Sequence, residues 1–281
     1  MSNGRANGHL EHEASHIPAV HSAVDCAPSH KAPPPTTSSS PPVPPVNWEI
    51  PRKILHSSIG FLTLYLYLAH GSSRLVVMAL GTALAIIVPA DLLRLNFPGF
   101  ERIYEKALGF LMRESEKKAT NGVIWYIIGV IWVLSLYPLD IAVVSILILS
   151  WADTAASTVG RACGHLTPPL PRRLLGLPLA PRKSLAGFMA GSVTGAAIVA
   201  GFWAFIGPLG EEEPVWTLEG GIGGTGSFSG WVGLGAISVI SGLVSGISEA
   251  LDLGSLDDNL TLPILSGGCI WGLFQCVRYF I

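Results

Sequence analysis

Residues 139–161 read L-D-I-A-V-V-S-I-L-I-L-S-W-A-D-T-A-A-S-T-V-G-R. Most of this stretch is an apolar run of the length that carries a helix across a bilayer, roughly 17 to 25 residues. Its last part, W-A-D-T-A-A-S-T-V-G-R at 151–161, sets a carboxylate, Asp153, and a guanidinium, Arg161, at the end of that run. An ionisable side chain at membrane depth is costly unless it faces a wet cavity, a partner or an ion, so its presence points to function. The stretch reads as a membrane helix that ends in chemistry.

The rest of the chain supplies the same solvent. It is 49% hydrophobic and only 13% charged, with a mean hydropathy of +0.51, whereas a soluble domain is about a quarter charged. Further apolar runs fall at 54–69, 75–93, 122–137, 186–206, 232–248 and 262–281, which makes seven candidate spans with 139–160. The fold class is all-α: a polytopic integral membrane helix bundle of about seven transmembrane helices. Residues 1–47 belong to another regime, with P-P-P-T-T-S-S-S-P-P-V-P-P near their end and no apolar period, so they are expected to form a disordered cytosolic tail ahead of a membrane-embedded catalytic domain at 48–281. The tail's histidines (His9, His12, His16, His21, His30) are too irregularly spaced for a metal site, and it lacks the apolar core of a signal peptide. Cys26, Cys163, Cys269 and Cys276 are scattered and imply neither a disulfide framework nor a zinc site.

Orientation follows from the basic residues. Of the 17 lysines and arginines, all but Arg74 and Arg278 fall on the side of the tail, which the positive-inside rule assigns to the cytosol. The N-terminus is then cytosolic, and the glycine-rich 220–230 is expected to be a flexible lumenal linker.

With this topology the polar clusters near the membrane boundaries gather on one cytosolic face. They are Arg52, Lys53 and His56; Asp91 and Arg94; the loop 113–122; Asp153 to Arg161; Arg182 and Lys183; Glu249 and Asp252; and Asp258 with Asn259. Asp153, Ser157, Gly160 and Arg161 share one helix face, and Ala156, Gly160 and Gly164 form a small-residue ladder suited to close helix packing. Glu249 and Asp252, three apart, are expected to project along one side of the sixth span. Hard carboxylate oxygens suit magnesium, held by one or two carboxylates plus phosphate oxygens, and Asp153, Glu249, Asp252 and Asp258 are the candidates. Arg52 and Lys53, taken alone, are topology determinants, His56 is a hydrogen-bonded helix residue or a proton acceptor, and Asp91 and Arg94 neutralise each other. Arg182 and Lys183 beside Arg161 suit phosphate as forks and point charges, although A-P-R-K-S-L-A-G lacks the glycines of a Walker A loop.

The run D-x-x-A-x-x-x-G-R-x-x-G at 153–164, followed by P-R-K-S-L-A-G at 181–187, resembles the nucleotide-handling pattern of membrane CTP-using enzymes, the phosphatidate cytidylyltransferases and polyprenol kinases. I-P-R-K-I-L-H-S-S-I-G-F at 50–61, D-L-L-R-L-N at 91–96, L-S-W-A-D-T-A-A-S-T-V-G-R at 149–161, and S-E-A-L-D with D-D-N-L-T-L-P at 248–263 narrow the resemblance to the fungal-type CTP-dependent diacylglycerol kinases. It covers nearly everything after the tail. It implies an enzyme of the endoplasmic reticulum and nuclear envelope that transfers the γ-phosphate of CTP to diacylglycerol, giving phosphatidate and CDP, with magnesium or another divalent cation as cofactor. It also raises Arg52, Lys53, Asp153 and Gly160 to residues the family needs. The partners expected are CTP, diacylglycerol and membrane lipids, with no nucleic acid, and the oligomeric state is left open. One departure is the insert-like P-P-L-P-R-R-L-L-G-L-P-L at 168–179, which leaves the path from Arg161 to Lys183 undefined. A cytidylyltransferase attacking the α-phosphorus, a dolichol or polyprenol kinase, and a transporter are the alternatives. Against the last, the charges gather at one face and no internal repeat is evident.

Overall fold

A computed structural model describes residues 48–174, 176–254 and 256–280. The tail 1–47, with its five histidines and Cys26, lies outside the described residues. Helices occupy all the places where apolar runs fall: α1 (Ile50–Leu68), α2 (Ser73–Asn96), α4 (Gly122–Leu136), α5 (Leu139–Leu147) continuing into α6 (Asp153–Cys163), α7 (Leu185–Gly201), α8 (Gly230–Ala250) and α9 (Asp258–Phe280), with a short α3 (Pro98–Leu108) between α2 and α4. The physical reason is that hydrocarbon offers no partner to a bare peptide group, so each apolar run must close its own hydrogen bonds. Five of these helical stretches are long and apolar enough to cross a membrane. Of the other two runs, α4 is apolar but has only 15 residues, and α1 carries Arg52, Lys53 and His56 in its first turns.

The stretch 139–161 is the axis of the bundle. Pro138 ends the turn after α4, and α5 and α6 form one continuous helix through a π-helical segment, Ile148–Ala152. It is the most enclosed of the membrane-length helices, and Ile141, Val144, Ile148 and Ala152 are inaccessible or nearly so. Its side chains carry the largest single share of the core, joined by Val133 of α4, Val199 of α7, Ile237 of α8 and Phe274 of α9. A π segment adds one residue to a turn and is common at functional sites. Here it lies directly before Asp153.

Small residues set the closest approaches. A Cβ on Gly187 of α7 would sit 3.0 Å from the Ala156 carbonyl and 3.4 Å from Gly160 Cα, so the Ala156–Gly160–Gly164 ladder of α6 seats α7 as the spacing predicts. A Cβ on Gly129 of α4 would meet the Asn259 carbonyl at 2.9 Å, which fixes α4 against α9.

Two loops differ from expectation in being structured. The glycine-rich segment is a folded loop rather than a flexible linker: β3 (Trp216–Thr217) pairs with β4 (Gly221–Ile222), both Trp216 and Ile222 are fully buried, and Trp216 Nε1 donates to the Phe228 carbonyl at 2.8 Å. The turn needs a positive φ of 65° at Gly221, which glycine adopts without strain. The insert forms a hairpin, β1 (Arg173–Leu174) against β2 (Leu177–Pro178), and is stitched to the end of α8 where Ala180 N–H donates to the Ala250 carbonyl at 2.9 Å and Asp252 N–H to the Pro178 carbonyl at 3.0 Å. That stitching defines where Lys183 stands. Cys163, Cys269 and Cys276 are free thiols.

Candidate active site

The starts of α1, α4, α7 and α9 meet the ends of α2, α6 and α8 at one end of the bundle. Arg161 Nη2 is 3.0 Å from Glu49, Lys53 Nζ donates to Thr158 Oγ1 at 2.8 Å, and Arg52 Nη1 is 3.5 Å from Glu116. Lys183 Nζ contacts both Glu249 Oε1 and, at 3.5 Å, Asp258 Oδ2, while Arg182 reaches the same Asp258 oxygen at 3.6 Å. The charged residues expected from the sequence on one face are therefore brought together there, in one ion-pair group around Glu49 and another around Lys183.

Within it lies a cavity of about 350 Å³, lined by Asp153, Ser157, Gly160 and Arg161 from α6, Lys183 and Ser184 with Gly187 at the start of α7, Glu249 from α8, Asp258 from α9, and Glu49 and Arg113 from the loops. This volume is in the ordinary range of small-molecule sites, about 300 to 1,000 Å³. Ser184 caps α7 by accepting from Gly187 N–H at 3.2 Å, so a 17-residue helix aims its positive N-terminal end at the cavity. Burial alone would lower the Lys183 ammonium, but Glu249, Asp258 and Asp153 together outweigh it and hold the group above its ordinary value. Lys183 is therefore a permanent cation here.

The acids fall into two kinds. Asp153 is buried, and among the described residues its close partner is His56 Nδ1 at 3.9 Å, beyond hydrogen-bonding distance. Glu249 is 4% exposed, with Oε1 on Lys183 and Oε2 buried without a hydrogen-bond partner. Two carboxylates with unused acceptor capacity on one cavity fit a hard cation completed by phosphate oxygens. Among the described residues no three His, Cys, Asp or Glu side chains converge to cage a metal unaided. The donor set fits a divalent cation that brings further oxygen ligands of its own.

Several sequence candidates stand elsewhere. Asp252 is corrected: α8 ends at Ala250 and the chain turns extended at Leu251, so Asp252 leaves the Glu249 face, is exposed, and caps the next turn through Gly254 N–H at 3.2 Å. Asn259 is buried and donates to the Gly122 carbonyl at 3.3 Å, tying α9 to α4 away from the cavity. Asp91 and Arg94 do pair, at 2.8 Å, and do more than neutralise each other. Arg94 also donates to the carbonyls of Lys117 and Ala119, each at 2.8 Å, and lies over the Tyr104 ring, while Asp91 accepts from Asn121 N–H at 3.1 Å. The pair thus clamps the loop that presents Arg113 and Glu116. His56 is buried edge-on to Tyr126, with ring centroids 4.8 Å apart, behind Asp153.

Arg113 and Glu49 were missed as individual residues. The loop R-E-S-E-K-K has no period to rank its charges, and Glu49 lies just ahead of an apolar run. Glu49 contacts Arg113 at 3.5 Å and Arg52 at 3.9 Å besides Arg161. Burial pushes its carboxyl up, yet Arg113, Arg161 and Arg52 hold it below the ordinary carboxylate value. The nearest available signal was the density of bases on this face, which calls for a compensating acid.

No family model matches the chain, and no solved structure does. Curated fungal relatives do. The chain is 40% identical over 225 residues to the CTP-dependent diacylglycerol kinase 1 of Saccharomyces cerevisiae, and 40% over 227 residues to that of Schizosaccharomyces pombe, covering 78% of this chain in each case and 71% and 90% of those proteins. It is 39% identical over 223 residues to the Eremothecium gossypii protein of the same name, spanning 65% of that relative's length. At this identity and coverage the chain belongs to the CTP-dependent diacylglycerol kinase family.

Proposed function

We propose that this protein is a membrane lipid kinase that transfers the γ-phosphate of CTP to the hydroxyl of diacylglycerol, releasing phosphatidate and CDP, on the cytosolic side of the endoplasmic reticulum and nuclear envelope. The reading has seven crossings, with α1 and α4 added to the five long apolar helices, and a cytosolic N-terminus. The observation that carries it is the meeting of Asp153 and Glu249 with Arg113, Arg161 and Lys183 in one cavity at the ends of membrane helices. Diacylglycerol keeps its chains in hydrocarbon and offers one hydroxyl at headgroup depth, which suits a cavity among the ends of apolar helices.

Phosphoryl transfer asks mainly for in-line positioning and neutralised oxygens. Arg52, Lys53, Arg113, Arg161, Arg182 and Lys183 supply the cations, and the N-terminus of α7 adds the positive end of its dipole, its first N–H groups being already bonded to Pro168, Thr167 and Ser184. Asp153 and Glu249 are the residues that would hold magnesium, which when bound would supply charge neutralisation for the phosphates. The lipid oxygen forms its bond to the γ-phosphorus as the bond from that phosphorus to the β-bridging oxygen breaks, and the hydroxyl proton passes to whichever of these carboxylates faces the lipid. Gly160 lines the cavity where α6 meets α7: a Cβ there would make ordinary contacts, 3.5 Å from both Gly187 Cα and Ser184 Oγ.

The test offers membranes carrying this chain diacylglycerol or phosphatidate, with magnesium and CTP labelled in either the γ- or the α-phosphate, and ATP as control. γ-Label entering phosphatidate only with diacylglycerol and CTP is expected. α-Label entering a liponucleotide would replace this reading with a cytidylyltransferase. Topology has a separate check: Asn259-Leu260-Thr261 is a glycosylation acceptor pattern, and a glycan on Asn259 would invert the last two loops.

A further inference from the structure

A second cavity, about 580 Å³, lies inside the bundle and opens away from the charged site. Its wall is Ile59, Thr63 and Leu66 of α1, Leu80 of α2, Val130 of α4 and Val143 of α5. His56 forms part of its inner end, and the other side of that imidazole faces Asp153 at 3.9 Å. His56, lining the second cavity, and Asp153, lining the first, thus stand side by side between the two. At the far end His70, Arg74 and Glu211 return the lining to polar.

We propose that this chamber between α1, α2, α4 and α5 receives an acyl chain of the diacylglycerol, seating the lipid hydroxyl at the His56–Asp153 partition. The inference rests on the kinase reading above and adds the lipid subsite to it. Three features select an acyl chain as the occupant. From His56 to Leu66 the helix rises about 15 Å at 1.5 Å per residue. That equals one leaflet of a bilayer whose hydrocarbon core is about 30 Å thick. The way in is lateral, because α2 packs on α3 and α4 and α1 packs on α5 and α6, with no comparable packing joining α1 to α2. Between its two polar ends the lining is mainly aliphatic, so in a bilayer the natural filling of that middle stretch is hydrocarbon. The orientation also follows: polar residues at the Asp153 end meet the headgroup and the chain runs down α1.

The chamber is tested in membranes carrying the full chain, with CTP and either dioctanoyl- or dioleoylglycerol. Leu66→Trp on α1 and Leu80→Trp on α2 are expected to lower kcat/KM for the long-chain lipid roughly tenfold relative to the short-chain one. Equal losses for both lipids in both variants would overturn the chamber. A second measurement needs no variant and no turnover: a diacylglycerol with a photoreactive group at the chain end is crosslinked to the wild type. Label on the α1, α2 and α4 residues of the chamber, displaced by diacylglycerol and not by phosphatidylcholine, is expected. Label on Trp48, Ile54 or Phe61 of the outer groove, or equal displacement by phosphatidylcholine, would overturn it. A wild type that phosphorylates neither lipid refutes the kinase reading itself, whereas turnover with label on the outer groove refutes the acyl subsite alone.

Discussion

Asp140 and Asp153 lie on the same central helix run, one at its start and the other midway along it, both buried, yet their surroundings differ completely. Asp140 accepts from its neighbour Ile141 N–H at 2.8 Å, from Trp203 Nε1 at 3.1 Å and from Val215 N–H at 2.7 Å. Its oxygens are occupied by donors that lock the loop after α7 onto the core. Asp153 has His56 at 3.9 Å and otherwise faces a cavity ringed by cations. A buried charge signals function only when its acceptors are unspent. A saturated one is part of the fold.

The sharpest way to break this contrast is to remove each carboxylate. Asp153→Ala is expected to cut kcat by at least about a hundredfold, the usual cost of losing one transition-state electrostatic partner, while thermal stability in detergent stays near wild type. Asp140→Ala should do the reverse, leaving two buried N–H donors unpaired at about 1–3 kcal/mol each, together with the part-buried Val215 N–H, and depleting folded protein, with near-normal turnover per folded molecule. Normal turnover by Asp153→Ala would end the assignment.

Lys183 and Glu249 sharpen the comparison from the cationic side. Lys183→Ala strands the Glu249 carboxylate in a buried site, at about 3–5 kcal/mol. The double variant Lys183→Ala with Glu249→Gln should recover most of that stability and none of the activity, which a chemical-denaturation series alongside the kinase assay would separate. Gly160→Ala is a subtler probe. Its methyl makes only ordinary contacts, so the protein should fold with stability within about 0.5 kcal/mol of wild type. Its effect should appear as a higher KM for CTP.

The smallest effect expected is at Glu49. Because the three arginines hold its carboxyl below the ordinary value, its ion pairs contribute above that value and are lost as pH falls through the lowered one. Glu49→Gln should therefore be slightly less stable at neutral pH, and the difference should close on acidification. Melting temperatures of both proteins across the acid range measure it. A gap that widened in acid would give the carboxyl the opposite shift.

The helices were legible because lipid leaves an apolar run no alternative, and Asp153, Arg161, Lys183 and Glu249 were legible as charges out of place at the ends of such runs. Arg113 and Glu49 were not, since a charged residue in a polar loop carries no such contradiction. Asp252 was misassigned for a related reason: a three-residue spacing implies a shared face only where the helix continues, and α8 stops at Ala250. The glycine-rich loop was misread because composition reports freedom of the backbone and not what Trp216 and Ile222 bury.

By itself, then, the sequence determined the solvent, the helical class, the places of the helices and the clustering of charge at one set of helix ends, because hydrophobic run length and the cost of buried charge are local properties. Only the tertiary structure decided which charges confront one another. The stitched hairpin at 171–180 brings Lys183 to Glu249, the Asp91–Arg94 clamp presents Arg113, and the packing of α6 on α7 opens a cavity beside Gly160. Each depends on contacts between residues distant in the chain, where neither periodicity nor composition carries information.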